Sequence, residues 1–88
     1  MASFITDAVT TITPIRSKRT HNDVYLCITT FTDRENGFTF NVERREFQYY
    51  SDIAGYVWKM LGKYAAYRIY EGEEFCNAEK WYTETFLR

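Results

Sequence analysis

The chain has 88 residues, 45% of them hydrophobic, with a formal net charge of −1 and a pI near 5.8. That length makes one domain, residues 1–88, and its hydrophobic content excludes a disordered chain. The near-balance of eleven basic and twelve acidic residues excludes a polyanionic nucleic-acid mimic and any strong overall field toward nucleic acid or membrane. Eight Tyr, seven Phe and two Trp crowd into this small domain. A chain of this size hides only about 60–65% of its unfolded surface, so part of the aromatic surplus reads as contact surface.

In chain order, Phe4 to Ile15 is rich in Thr, Val and Ile and reads as a strand ending near Pro14, whose missing N–H suits a strand end or an edge. Arg16 to Asp23 is polar and reads as an exposed loop carrying the basic cluster Arg16, Lys18 and Arg19. Val24 to Phe47 reads as a β-hairpin. Val24, Leu26 and Ile28 alternate with Tyr25, Cys27 and Thr29, and Phe38, Phe40 and Val42 repeat the pattern beyond the turn. A two-residue turn at Asn36-Gly37 would pair even with odd positions. A three-residue loop, Glu35-Asn36-Gly37 with Gly37 left-handed, pairs even with even and collects Val24, Leu26, Ile28, Phe38, Phe40 and Val42 on one face. The hydrophobic pattern prefers that register and makes this the core face, which leaves Tyr25, Cys27, Phe31 and Phe47 on the other.

Ser51 suits an N-cap, with Asp52 in the first turn of a helix running to Leu61. Ile53, Val57 and Leu61 form its apolar stripe, Gly62 reads as a left-handed cap, and Gly55 reads as a point of close packing against the sheet. Tyr64 to Tyr70 reads as a strand ending in a turn at Glu71-Gly72. In residues 73–88, Glu73, Glu74 and Arg88 suit a helix macrodipole, and Phe75, Ala78, Tyr82 and Phe86 make a helical stripe. Trp81 to Leu87 is equally strand-like in residue type, and the helix is favoured. The fold class is therefore α+β, an antiparallel sheet of three to four strands packed by one or two helices.

Catalytic chemistry finds little purchase in this sequence. His21, the single histidine, lies in a polar loop and reads as solvated; only Asp23 is near enough in sequence to orient it. Cys27 and Cys76 make no disulfide framework and read as free thiols in a reducing cytosol. With His21 they do not supply the ligands of a metal site. No glycine-rich phosphate loop is present, and no cofactor is expected. No secretory leader or membrane-crossing stretch is read. The chain reads as a non-enzyme.

Two binding readings follow, with a third behind them. The first is protein contact through an aromatic surface of Tyr49, Tyr50, Trp58, Tyr67, Tyr70 and Trp81. Trp58 lies off the helix stripe as an exposed anchor, and Glu71 to Glu79 would steer a basic partner. The alternative is single-stranded nucleic acid or RNA, with Tyr25 and Phe31 as stacking rings and Arg16, Lys18, Arg19, Arg44 and Arg45 for the phosphates. The third is homodimerisation through the aromatic face. In general character the chain resembles small bacteriophage-encoded accessory proteins, single Tyr- and Glu-rich cytosolic domains without catalytic motifs. That resemblance implies stoichiometric binding and inhibition of a host or defence enzyme in the host cytoplasm.

Overall fold

The computed structural model describes residues 6–64 and 66–87. Phe4 and Ile5 of the first predicted strand, Ala65 of the fourth segment and Arg88 lie outside them. The chain runs β1 (Thr6–Arg16), β2 (Asp23–Asp33), β3 (Thr39–Phe47), α1 (Tyr50–Leu61), β4 (Ala66–Glu71), β5 (Glu74–Asn77) and α2 (Ala78–Phe86). The fold is α+β. Its sheet has five strands in the order β3-β2-β1-β4-β5, more than the three to four expected. It is also mixed, because β4 pairs with β1 in parallel. The reason is α1: a helix between β3 and β4 carries the chain across two strands and returns it in the same direction.

Cross-strand partners share a face of the sheet, so the register sorts every strand residue. One face carries the rows Asn41–Phe31–Ala8–Tyr67, Glu43–Thr29–Thr10–Ile69–Cys76 and Arg45–Cys27–Ile12–Glu71–Glu74. Both helices pack there, bringing Ile53, Val57, Met60, Ala78 and Trp81 onto Ala8, Ile12, Cys27, Phe31, Tyr67 and Ile69. The opposite face carries Val42–Thr30–Val9–Arg68–Asn77, Arg44–Ile28–Thr11–Tyr70–Phe75 and Glu46–Leu26–Thr13. The predicted core face of the hairpin is therefore the face the helices leave open, where Val24 alone of the predicted set is buried, at 7% exposure, and Tyr25, Cys27, Phe31 and Phe47 point into the core instead. Both faces alternate apolar residues, so alternation alone does not choose between them.

The turn also departs from expectation, without changing which residues share a face. Asp33 N–H donates to Phe38 O at 2.9 Å and Gly37 N–H to Asp33 O at 2.8 Å, closing a loop of residues 34–37 rather than three residues. Gly37 is left-handed as expected, with φ +76°. A register shift beside Phe31 and Thr32 then restores even-with-even pairing. Phe38 and Phe40 fall in this irregular stretch and are 71% and 61% exposed, not core.

The segment ends correct several local expectations. α1 begins at Tyr50 after Tyr49, with no side-chain cap, so Ser51 is inside the helix; Asp52 does occupy the first turn. Gly62 ends α1 in a right-handed conformation, φ −81°, not a left-handed one. Gly72 and Glu73, with φ of 60° and 69°, form a tight turn of the kind that matches strand twist. Residues 74–77 therefore fold back as β5 before α2 starts. Asn77 caps α2, its Oδ1 accepting from the N–H groups of Glu79 at 3.0 Å and Lys80 at 3.2 Å. Pro14 lies past Ile12, the last residue of β1 that pairs with β4, where β1 has β2 alone beside it.

A line of hydroxyls crosses the core. The Tyr56 hydroxyl donates to Glu43 Oε1 at 2.8 Å. Tyr56 and Thr29, Thr29 and Thr10, and Thr10 and Tyr67 each share a bond of 2.7 Å. Each hydroxyl has one proton, so the carboxylate at the end sets the direction throughout: Tyr67 donates to Thr10, Thr10 to Thr29, Thr29 to Tyr56, and Tyr56 to Glu43. A second carboxylate ties the layers together. Glu71 on β4 accepts from Trp81 Nε1 of α2 at 2.9 Å and from the Tyr50 hydroxyl of α1 at 3.0 Å.

Candidate functional site

The open face of the sheet is the most unusual surface of the domain. Val9, Ile15, Leu26, Ile28, Val42, Tyr70 and Phe75 lie on it, and no described helix covers them. Val42 is 58% exposed and Phe75 59%. Strands of 11, 11, 9, 6 and 4 residues, at about 3.3 Å per residue and about 4.8 Å between strands, present a face of roughly 650 Å². That approaches the roughly 800 Å² per side of a standard protein interface.

Charge is arranged around this centre. Ile15, Arg16, Lys18, Arg19, Arg44 and Glu46 line a hollow of ≈ 710 Å³ at one end. Glu46, the one carboxylate lining it, bonds Arg44 at 3.0 Å, and Asp23 lies 3.7 Å from Arg16. The loop that carries Lys18 and Arg19 is fastened from within: Ser17 is buried, its Oγ accepts from the N–H groups of Arg19 and Thr20, and its N–H donates to Asn22 O. Across the sheet, Arg68 lies 5.1 Å over the Phe75 ring, which packs 4.5 Å from Tyr70.

The expected aromatic surface divides. Tyr49 and Trp58 are 61% and 63% exposed, and Trp58 packs 5.3 Å from Tyr82 on α2. Tyr70 belongs to the open face. Tyr67 and Trp81 are core residues, 3% and 7% exposed, and Tyr50 is half-buried against Trp81, Phe86 and Tyr25. Buried rings present no contact surface, so Tyr67 and Trp81 are removed from the binding set, while Tyr50 keeps only part of its ring at the surface. Glu71 is likewise occupied by Tyr50 and Trp81.

The nucleic-acid set also splits. Arg16, Lys18, Arg19 and Arg44 converge on the basic hollow. Tyr25 and Phe31 face the helices, and Arg45 lies on that same side, 5.5 Å over the Tyr56 ring. Of the expected cations, only Arg45 therefore shares the side of the stacking rings, and neither ring lines the hollow of Arg16, Lys18, Arg19 and Arg44. Leu26, Ile28 and Val9 were missed as site residues because an apolar strand residue reads as core until the helices are placed, and Phe75 because it read as part of a helical stripe rather than of β5.

Cys27, Cys76 and His21 lie on three separate segments, β2, β5 and the loop between β1 and β2. Cys27 is fully buried; burial first, and the charge of Glu71 second, push its thiol up to about 12. Cys76 lies on β5, three strand steps from β2. At about 4.8 Å per step that separation is roughly 14 Å, beyond disulfide reach. His21 is exposed in its loop, at φ 61°. Among the described residues, no three His, Cys, Asp or Glu side chains gather around a metal-sized point, and no helix is long and apolar enough to cross a membrane. Comparison with protein-family models, curated proteins and solved structures finds no match for the chain.

Proposed function

We propose that this is a non-enzymatic binding domain. Its open sheet face docks stoichiometrically onto a protein with an apolar surface rimmed by carboxylates. The observation that carries this reading is the aliphatic centre of the face, half-buried Val9, Leu26 and Ile28 with exposed Val42, which no described helix covers and which lies beside four convergent cations. Burying such a centre drives association, and the basic hollow orients and accelerates encounter with an acidic partner. The resemblance to phage accessory proteins extends the proposal to inhibition of a host or defence enzyme in the host cytoplasm.

Single-stranded nucleic acid is the second reading, favoured by the hollow of Arg16, Lys18, Arg19 and Arg44 and by Tyr70 and Phe75 beside Arg68. Bases stack on aromatic rings, and the centre of this face is aliphatic, which ranks the protein partner first. The test is affinity capture after nuclease treatment, with the wild type and with a Val42→Glu/Phe75→Glu variant as baits. Both positions are more than half exposed, so the variant keeps its fold. A stoichiometric protein lost by the variant supports the proposal. Co-purifying RNA whose affinity falls steeply with salt supports the second reading. A dimer in sedimentation that the variant abolishes assigns the face to self-association.

A further inference from the structure

α1 meets β3 through Tyr56, whose hydroxyl bonds Glu43 and whose ring packs 5.6 Å from Phe47, but β3 turns Glu43 and Arg45 toward the helix where a closed seam would need apolar residues. The result is a cleft of ≈ 520 Å³ between α1 and β3, within the range of small-molecule sites. Phe31, Phe47, Tyr56 and Tyr64 supply aromatic walls, and Arg45, Lys59 and Lys63 line it from both sides. Inward charge on an edge strand is a common guard against aggregation, and that accounts for Glu43 and Arg45. It does not account for Lys59 and Lys63, which reach the same cleft from the facing helix. Among the described residues none of these three cations forms a salt bridge, although Glu43 and Asp52 line the same cleft. Glu43 is engaged by the Tyr56 hydroxyl.

Gly55 is the second, independent observation. It lies inside α1, where glycine costs about 1 kcal/mol relative to alanine, and it lines this cleft. The expected reason, close packing on the sheet, does not hold: a Cβ placed there meets nothing within 4 Å, and its φ is not positive. The residue that packing and backbone leave unexplained is the one whose missing side chain widens the cleft.

We propose that the cleft binds a small anion carrying a planar ring, the chemistry shared by nucleotides and aromatic acids. The ring would lie among Phe47, Tyr56 and Tyr64, and the anion would meet Lys59, Lys63 and Arg45. The test is a calorimetric and NMR titration of the whole chain with adenosine 5′-monophosphate and with indole-3-acetate. Adenosine and ribose 5-phosphate, each lacking one half of the chemistry, serve as controls. Saturable 1:1 binding of at least one charged probe is expected, with amide shifts confined to residues 43–47 and 52–64. The probe that saturates identifies the nucleotide or the aromatic-acid source. Gly55→Leu fills the cleft and should lose at least tenfold in affinity while melting no lower than the wild type. Lys59→Gln/Lys63→Gln should weaken binding about tenfold or more. The proposal is overturned if neither probe saturates by about 5 mM, if Gly55→Leu binds unchanged, or if the shifts map to the open face of the sheet.

Discussion

The directed hydroxyl line makes the effect of one substitution depend on another. Tyr67 sits at its head and only donates, so Tyr67→Phe removes one bond and leaves an unused lone pair on Thr10, whose proton still serves Thr29. The expected cost is about 1 kcal/mol. Thr10→Val removes two bonds of 2.7 Å and strands the Tyr67 proton in a site 3% exposed. Its expected cost is about 2–3 kcal/mol, because a buried donor without an acceptor carries its full desolvation penalty. Adding Tyr67→Phe to Thr10→Val deletes that stranded donor, so the second substitution should be neutral or stabilising where it was destabilising alone. The coupling energy of the cycle is then about 1–2 kcal/mol. Urea unfolding followed by tryptophan fluorescence measures it from midpoints and slopes, and each 1 kcal/mol corresponds to roughly 4–8 °C in melting temperature. An equal cost of Tyr67→Phe in both backgrounds, or a cost above that of Thr10→Val, would refute a directed hydroxyl line.

Stability should fall in alkali. The Cys27 thiol is pushed up to about 12 from an ordinary 9.0, and the Tyr56 hydroxyl to about 12 from 10.0, both chiefly by burial. The unfolded chain releases these protons first. Their contribution is therefore complete below about pH 9 and is lost as pH climbs toward 12. Urea midpoints should drop between pH 8 and 10.5, less steeply in Cys27→Ala; a flat profile would refute this. Trp58→Ala should cost no more than about 1 kcal/mol, since it gives up only exposed packing on Tyr82. Trp81→Ala should cost about 3–5 kcal/mol, leaving Glu71 without its indole donor. Equal melting temperatures for the two variants would contradict the assignment of Trp81 to the core.

Local chemistry was legible where one residue type answers one geometric need. Gly37 sits left-handed, the hairpin pairs even with even, Asp52 opens α1, and Ile53 and Val57 form its buried stripe. A C-terminal helix exists, although its first predicted turn is β5, because Gly72 and Glu73 reverse the chain before Asn77 can cap it. What stayed hidden depends on long-range packing. Val24–Ile28 and Tyr25–Phe31 both alternate acceptably, and only the arrival of two helices on the Cys27 side decides which set is core. Two choices tip that side: Ala8 and Ile12 give the helices room, and Thr10, Thr29, Tyr56 and Tyr67 satisfy one another when buried together. The candidate surface was misplaced for the same reason, since its apolar centre was assigned to the interior and core rings were assigned to the surface.

The central claim is that the open sheet face is an interface for a protein partner. Nuclease-treated affinity capture with matched baits tests it most directly: wild type, Val42→Glu/Phe75→Glu on the open face, and Trp58→Ala on the helical side. One stoichiometric protein should be captured by the wild type and by Trp58→Ala but lost by the open-face variant. Capture that survives Val42→Glu/Phe75→Glu and is lost with Trp58→Ala would contradict it and move the interface to the helices.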